Sequence, residues 1–283
     1  MKVLSQVKKD VEFNRGLTSL VDILKGIAVS QFQVLERKIK TFEQFLQTIE
    51  SFFSLLDIRN IAHPFVDPAG RFPSVVAVTS NTGLLGGLNL KVVRIALQEL
   101  GQGEGKLVIV GERGQIYARE QHISFVGFPG VEDEYRYRQA MELRDYVLNQ
   151  VLSGTVGSLK VIFPRALSFT VQRIEMLTLL PCSQWWIKKH TEPSQESSTG
   201  VILESAPEDI VEYLVHLWVG QKFYEIFGWS RLAELAARFL HLEGSSQKLQ
   251  QMSEELRLKY FKILHELVDQ SMRELFAARL LYR

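Results

Sequence analysis

The sequence predicts an α/β domain inserted between two long terminal helices that pair with each other. Three observations point to this fold class: the proline distribution, a heptad pattern of apolar residues at each end, and alternating strand and helix patterns between them. The chain has 283 residues and 8 prolines, of which the first is Pro64 and the last is Pro207. Because proline inside a helix removes a hydrogen bond and clashes with the preceding turn, the two proline-free ends are free to form long helices.

The first sixty residues predict a helix with a coiled-coil seam. Apolar residues alternate at spacings of four and three, which is typical of a helix that packs against a partner helix. The helix is expected to end in front of Pro64, because the residue that precedes a proline disfavours helical backbone angles. The seam comprises Ala28, Phe32, Leu35, Ile39, Phe42, Leu46, Ile49, Phe53 and Leu56.

The C-terminal segment predicts the partner helix. Ser205 and Glu208 form a capping-box pattern, which marks a helix start. Beyond it the same four–three alternation returns, so the two seams are expected to cover each other. We assign residues 1–60 to the N-terminal coiled-coil helix, 70–200 to the α/β domain and 205–283 to the C-terminal coiled-coil helix. This second seam comprises Leu235, Phe239, Leu242, Ser246, Leu249, Ser253, Leu256, Tyr260, Ile263 and Leu267.

The middle of the chain predicts a parallel sheet. Apolar runs bounded by glycine or polar residues indicate buried strands, and longer amphipathic segments between them indicate helices. Strands that alternate with helices form right-handed crossover units around a parallel sheet. The predicted strands are 74–79, 106–110, 158–163 and 170–180, and the predicted helices are 88–100 and 131–152.

Composition and charge exclude several classes of protein. The 33 Lys and Arg residues nearly balance the 32 Asp and Glu residues, so the chain has no overall attraction for nucleic acid. Cys182 is the single cysteine, which excludes an internal disulfide or dithiol switch. The sequence has no apolar run of about 18 residues and no apolar leader, so we expect neither a transmembrane span nor a signal peptide.

The turn after the first predicted strand is the strongest candidate for a ligand site. Residues 79–89 are rich in glycine and lie where phosphate groups bind at helix N-termini. Their spacing matches neither G-x-G-x-x-G nor G-x-x-x-x-G-K-[ST]. We therefore interpret Gly83, Gly86, Gly87 and Asn89 as a turn that packs the next helix onto the sheet.

No other pattern indicates catalysis. None of the six histidines has the spacing of a metal-ligand pair, and no serine lies in a nucleophile elbow. We expect no catalytic residue, no metal and no cofactor. From the residues alone two alternatives stay open beside a paired-helix shaft: a free-standing nucleotide-binding α/β module and a coiled-coil adaptor.

Five segments, in the same order along the chain, resemble the gamma subunits of F-type ATP synthases. Residues 79–89, T-S-N-T-G-L-L-G-G-L-N, resemble the family's T-S-D-R-G-L-C-G-G-L-N. Residues 25–32, K-G-I-A-V-S-Q-F, resemble K-M-V-A-A-S-K-L, and residues 205–208 resemble the S-P-E start of the last helical region. Residues 234–239, E-L-A-A-R-F, resemble E-H-A-A-R-M, and residues 258–270 resemble L-x-Y-N-R…I-T-Q.

The sequence also departs from this family pattern. Asn81-Thr82 replaces an Asp-Arg pair, Leu235 replaces a histidine, and Leu264-His265 replaces an Arg-Gln pair. Several of these replacements remove polar groups, and together they indicate a divergent member of the family.

The resemblance implies an antiparallel two-helix coiled coil from the two termini with an inserted Rossmann-like α/β domain. It implies a non-catalytic rotor shaft that couples proton or sodium ion flow to ATP synthesis or hydrolysis. The implied partners are alpha and beta ATPase subunits, an epsilon subunit and a membrane c-ring. The implied location is peripheral, at the cytoplasmic face of a bacterial plasma membrane.

The resemblance also implies residue roles. Lys25, Gln270 and Arg273 are expected to contact the catalytic ring. Apolar residues at the C-terminal end, Leu275, Phe276, Leu280 and Leu281, are expected to form a bearing-like tip. The coiled-coil seam is expected to include Ile39, Leu46, Phe53, Leu242, Leu249 and Leu256.

Overall fold

The computed structural model describes residues 2–39, 43–54, 61–68, 70, 72–101, 105–182 and 204–281. Contacts divide the chain into two units. Met1–Ser30 and Arg238–Arg283 form the coil unit, and Gln31–Ala237 form the sheet unit. The elements in chain order are α1 (Lys2–Ile39), α2 (Glu43–Ser54), β1 (Pro73–Val78), α3 (Leu88–Leu100), β2 (Lys106–Val110), α4 (Glu112–Glu120), β3 (Val126–Phe128), α5 (Arg136–Leu152), β4 (Ser158–Ala166), β5 (Gln172–Leu180) and α6 (Pro207–Leu281).

The sheet unit is built on a five-stranded mixed sheet with strand order β3-β2-β1-β4-β5. Strands β1 to β4 are parallel, and Val76 of β1 lies opposite Val108 of β2 and Val161 of β4. These strands read as continuous apolar runs because helices cover both faces of a parallel sheet. Strand β5 is antiparallel to β4. The predicted fold class, an α/β sheet with long terminal helices, is confirmed.

Two elements of the sheet unit are absent from the sequence prediction. Helix α4 is strongly polar and contains Gly114, so it lacks the apolar periodicity by which helices are recognised. Strand β3 has only three residues and a central Gly127, and both features weaken a strand pattern. Strand β5 reverses direction because residues 167–171 form a short connection, and only antiparallel strands accept so short a connection.

The main core of the sheet unit joins the sheet to helices α2, α5 and α6. Phe163 of β4, Leu148 of α5 and Phe223 of α6 are completely or almost completely buried in this cluster. Phe53 of α2, predicted to lie on the coiled-coil seam, is fully buried in the same cluster and so shares a core with strand residues. The other face of the sheet is covered by α3 and α4, through residues such as Val92.

The division into units cuts both long helices within their length. Contacts assign α1 residues from Gln31 onward and α6 residues up to Ala237 to the sheet unit. The boundaries predicted from sequence, near residues 60 and 205, instead follow the ends of helices. The difference arises because helical periodicity is the same whether a helix packs on a sheet or on another helix.

In the coil unit, α1 and α6 run antiparallel. Partners of Asn14, Asp22 and Lys25 on α6 are Leu249, Ser246 and Glu243, so residue numbers fall on α6 as they rise on α1. The residues buried along this pair are Val7, Asn14, Ala28, Leu242 and Ser246, and the predicted seam residues Leu249 and Leu256 are half-buried. Among the described residues, no helix has a stretch long and apolar enough to cross a membrane.

Candidate functional site

The glycine-rich turn at residues 79–89, here called the β1–α3 turn, closes the N-terminus of α4. The Thr79 hydroxyl donates to the Val110 carbonyl over 2.7 Å and accepts the Gly114 N–H over 3.2 Å. The Asn81 Oδ1 accepts the Glu112 N–H at 3.2 Å and the Gly130 N–H at 3.0 Å. The Glu112 and Gly114 N–H groups lie at the N-terminus of α4, where backbone N–H groups can bind an anion. Protein oxygens already accept from these two groups, so they are not free to bind an anion at the N-terminus of α4.

Two hydrogen bonds between Ser80 and Asn89 stabilise the turn. Asn89 Oδ1 accepts the Ser80 N–H at 3.1 Å, and Asn89 Nδ2 donates to the Ser80 hydroxyl at 2.9 Å. Gly86 and Gly87 have positive φ angles of 58° and 86°, which glycine adopts without steric cost. Gly83 lies beside Arg113, whose guanidinium nitrogen would be 3.5 Å from an added Cβ. Gly83, Gly86 and Gly87 thus lie in the loop before α3, and Asn89, in the first turn of α3, bonds back to Ser80 of that loop.

One side chain of the β1–α3 turn is bonded to helix α6. The Thr82 hydroxyl donates to Glu234 Oε1 over 2.9 Å, and Arg231 Nη1 lies 2.7 Å from the same oxygen. Arg231 Nε also lies 3.7 Å from Asp133 Oδ2. Glu234 is 6% exposed, so a carboxylate is buried where the turn meets α6. Such a group requires partners, since burying an unpaired charge is strongly unfavourable.

The described residues offer no room for a nucleotide at this edge of the sheet. The cavity lined by Thr79, Ser80, Asn89, Ser230 and Glu234 has a volume of about 10 Å³, roughly one water molecule. No group of three or more His, Cys, Asp or Glu side chains in the described part of the chain is placed to hold a metal ion. Burial raises the pKa of the Cys182 thiol to about 12, so it remains protonated at neutral pH.

Lys25 lies in the coil unit between two carboxylates. Its Nζ is 2.8 Å from Glu243 Oε2 and 3.2 Å from Asp22 Oδ1. The hydrogen bond to Glu243 raises the pKa of Lys25, and the same bond lowers the pKa of Glu243. The Ser246 hydroxyl donates to Asp22 over 3.2 Å, which continues this polar cluster along the helix pair. Lys25 therefore holds α1 to α6 inside the chain.

The other two predicted ring contacts lie on the exposed C-terminal part of α6. Gln270 donates to Glu274 Oε1 over 3.0 Å, one turn further along the helix. Arg273 is exposed. Both side chains are accessible from outside the coil unit.

Each helix of the coil unit carries a second apolar face that the described residues leave exposed. The outer stripe of α1 consists of Phe13, Leu20, Ile23 and Ile27, which are 47–69% exposed. Its members are spaced by three, four or seven residues, and those of α6 are too except for the adjacent Leu275 and Phe276, so each set lies on one helix face. The outer stripe of α6 consists of Leu258, Phe261, Val268, Met272, Leu275 and Phe276, which are 43–71% exposed.

Sequence reasoning missed two features of the site. Asn14 is a polar seam residue that is only 2% exposed and donates to the Leu249 carbonyl over 3.0 Å. The seven-residue spacing from Val7 through Asn14 to Ala28 was a signal that could have revealed it. The bond between Thr82 and Glu234 joins residues 152 positions apart, and no local pattern predicts it.

Comparison with known proteins identifies the family. A family model described as ATP synthase matches residues 4–277. The ATP synthase gamma chain of Clostridium beijerinckii is 23% identical over 96% of this chain and 95% of the relative. That of Mycoplasmopsis pulmonis is 25% identical over 92% of this chain and 95% of the relative. This chain belongs to the ATP synthase gamma-chain family.

Solved structures of ATP synthases share the fold of this gamma-chain family member. A chain in the rotor of the mitochondrial ATP synthase of Euglena gracilis matches with a TM-score of 0.68 and 17% identity, over 94% of this chain and 99% of the other. A chain in the central stalk and c-ring structure of the Tetrahymena thermophila mitochondrial enzyme matches with a TM-score of 0.60 and 18% identity, over 80% and 99%. The resemblance noted from the sequence is confirmed.

The pair formed by Lys25 and Glu243 predicts a pH-dependent coupling between α1 and α6 in this gamma-chain family member. We expect Lys25→Met and Glu243→Gln each to lower the urea midpoint, and the double variant to be no worse than either alone. The raised pKa of Lys25 makes its contribution complete below about pH 10.4 and lost as pH rises through the folded-state pKa. The lowered pKa of Glu243 makes its contribution complete above about pH 4.3 and lost as pH falls through the folded-state pKa.

A double-mutant cycle at pH 7 and pH 3 measures this coupling. The exposed Arg138–Glu142 pair of α5, treated in the same way, is the control for a surface pair. Additive effects of Lys25→Met and Glu243→Gln at pH 7 would contradict the expectation.

Proposed function

We propose that this chain is the gamma subunit, the rotor shaft, of a rotary F-type ATP synthase. The observation that carries the proposal is the pair of outer stripes on the coil unit. A two-helix coil in water needs one apolar seam, and the further apolar faces of α1 and α6 call for surrounding partners. A sleeve of alpha and beta subunits around the coil would cover both stripes at once.

In this function the chain performs no chemistry of its own. An asymmetric coil that turns inside a ring of alternating alpha and beta subunits presents a different face to each beta subunit in turn. The face in contact favours one of the open and closed states of that subunit by its differential contact energy. Rotation driven by proton or sodium ion flow then drives ATP synthesis, and ATP hydrolysis drives the reverse rotation.

The nearly neutral net charge of the chain supports binding to the catalytic ring through a few local contacts. The net charge of +1 gives no overall electrostatic attraction to a partner. Gln270 and Arg273 are exposed on α6 and are proposed to contact the catalytic ring directly. Lys25 is proposed to act on the same contact mainly by holding α1 against α6, since both of its nearby carboxylate partners belong to this chain.

The proposed partners are alpha and beta subunits around the coil unit, and an epsilon subunit and membrane c-ring at the sheet unit. The chain would be peripheral to the membrane through this complex, at the cytoplasmic face of a bacterial plasma membrane. The β1–α3 turn supports this assignment over a nucleotide-binding module, because the cavity beside it has a volume of only about 10 Å³.

Co-expression with the alpha and beta subunits from the same source tests the proposal. We expect a tagged chain to recover both subunits and ATPase activity. The variant Leu258→Gln/Leu275→Gln should fold normally, because these side chains are 71% and 67% exposed, yet recover much less of both subunits. Met176→Gln, at an exposed apolar residue of β5, is the matched control and should recover the wild-type amount.

Failure of the wild-type chain to recover alpha and beta subunits would refute the rotor assignment. Equal recovery by the Leu258→Gln/Leu275→Gln variant would show that the outer stripe of α6 is not the contact surface.

A further inference from the structure

We infer that a set of contacts in the sheet unit, here called the collar, holds both long helices against one edge of the sheet. The collar transmits torque between the long helices and the sheet. This inference rests on the proposed rotor function. The collar has a polar half, in which Arg231 and Glu234 of α6 meet Thr82 and Asp133 of two loops, and an apolar half that includes α1. Its loops are the β1–α3 turn and the β4–β5 connection at residues 167–171, together with the adjoining strand ends.

The polar half joins the β1–α3 turn to α6 through a buried carboxylate. Glu234 accepts from the Thr82 hydroxyl at 2.9 Å and is paired with Arg231 at 2.7 Å. Arg231 reaches on to Asp133, in the segment before α5. One turn of α6 therefore contacts both the β1–α3 turn and the segment before α5, through a hydrogen bond and ion pairs.

The apolar half of the collar packs against both α1 and α6. Leu85 and Leu88 of the β1–α3 turn cluster with Ala237 of α6. The Phe169 ring of the β4–β5 connection meets the Phe32 ring of α1 edge-on, with centroids 4.9 Å apart and an interplanar angle of 80°. Leu35 of α1 and Leu232, Leu235 and Ala236 of α6 complete this cluster.

The position of these contacts in the chain suits the transfer of torque. Strands β1 and β4 are parallel neighbours, so the β1–α3 turn and the β4–β5 connection both follow carboxyl ends at the same edge of the sheet. The residues gripped on α6, 231–237, are the last ones of the sheet unit before the helix continues into the coil unit. Those on α1, from Phe32 onward, are the first of the sheet unit. Force that travels along either helix meets the sheet unit at the collar.

The chemistry of the polar half distinguishes a collar from simple packing. Apolar side chains position a helix by their shape and packing, and the attraction between them has no preferred direction. A hydrogen bond weakens steeply when its angle changes, so the Thr82–Glu234 bond resists rotation of α6 against the turn. Glu234 is buried, so loss of the Thr82 hydroxyl removes a partner of a carboxylate that is largely shielded from water.

The test uses the assembled, membrane-reconstituted complex. Thr82→Val removes the hydroxyl and keeps the shape, and Glu234→Gln removes the charge and keeps the size. A hydrogen bond to a carboxylate shifts a local equilibrium about ten-fold or more. We expect both variants to keep most ATP hydrolysis and to lose about half or more of the ATP-driven charge transport, read with a membrane-potential dye. Thr82→Ser keeps the hydroxyl and should restore transport.

Matched controls separate the collar from general damage to the sheet unit. Thr155→Val and Glu142→Gln change exposed groups of the sheet unit outside the collar and should leave the transport-to-hydrolysis ratio unchanged. Phe169→Ala should lower the ratio, and Phe72→Ala, at a residue that is 40% exposed, should not.

The outcomes distinguish the two proposals. Loss of transport relative to hydrolysis in Thr82→Val, with recovery in Thr82→Ser, supports the collar. An unchanged ratio, or an equal loss in Thr82→Val and Thr82→Ser, overturns it while leaving the rotor function standing. Failure of the wild-type chain to assemble with its partner subunits overturns the rotor function itself.

Discussion

Gly111→Ala is expected to lower the unfolding free energy of the sheet unit by about 3 kcal/mol or more, from backbone strain and overpacking together. Gly111 has a φ of 98°, which L side chains rarely adopt. An added Cβ would lie 2.2 Å from the Thr79 carbonyl oxygen, so backbone as well as side chains must move. The movement would also disturb the bonds by which Thr79 closes α4. Urea denaturation of the full chain, followed by circular dichroism, measures the effect.

Gly154→Ala is the matched control for this substitution. Gly154 also has a positive φ, 69°, but an added Cβ there meets no atom within 4 Å. Its expected cost is the left-handed conformation alone, about 1–2 kcal/mol. If the two variants unfolded at the same urea concentration, the steric argument at Gly111 would be wrong.

Asn81→Leu is expected to lower the unfolding free energy by about 1–3 kcal/mol, because two N–H groups lose their acceptor. Leucine is close to asparagine in shape but has no oxygen for the Glu112 and Gly130 N–H groups. Most of the loss is assigned to Gly130, whose bond is partly buried, since water can reach the exposed Glu112 N–H. Thermal and urea unfolding of the full chain measure the change.

Asn81→Asp provides the opposite control. It keeps the acceptor oxygen and adds a negative charge at the N-terminus of α4, which is worth about 0.3–1 kcal/mol of stabilisation. Aspartate is also the residue of the family pattern at this position. A loss of stability as large as that of Asn81→Leu would show that the oxygen of Asn81 is not what holds the turn to α4.

Much of the sheet unit could be predicted because its signals are local. Strands β1 and β2 are apolar runs beside glycine or polar residues, and α3 has one apolar face. In each element the buried positions are therefore visible as a local pattern of apolar residues. Helix α4 was not predicted, because hydrogen bonds to Thr79 and Asn81 hold its N-terminus. Such bonds produce no periodic pattern in the sequence.

The candidate site was predicted only in outline. The glycine spacing predicted a structural turn, and Gly86 and Gly87 have the positive φ angles that a tight turn requires. The same residues gave no hint that Thr82 bonds to α6. Lys25 was selected through the family pattern as a contact with other subunits, whereas its bond to Glu243 depends on the pairing of two helices.

By itself, the sequence determined the presence of two long terminal helices, an α/β sheet between them, and membership of the gamma-chain pattern. These follow from periodicity and motifs, which short segments of chain carry on their own. The tertiary structure alone decided where each helix leaves the sheet, which polar groups lie on the coil seam, and how the collar closes. Those contacts join residues as far apart as Asp22 and Ser246, or Thr82 and Glu234. Their partners are selected by the register of whole elements, and register is a property of the packed chain rather than of any segment.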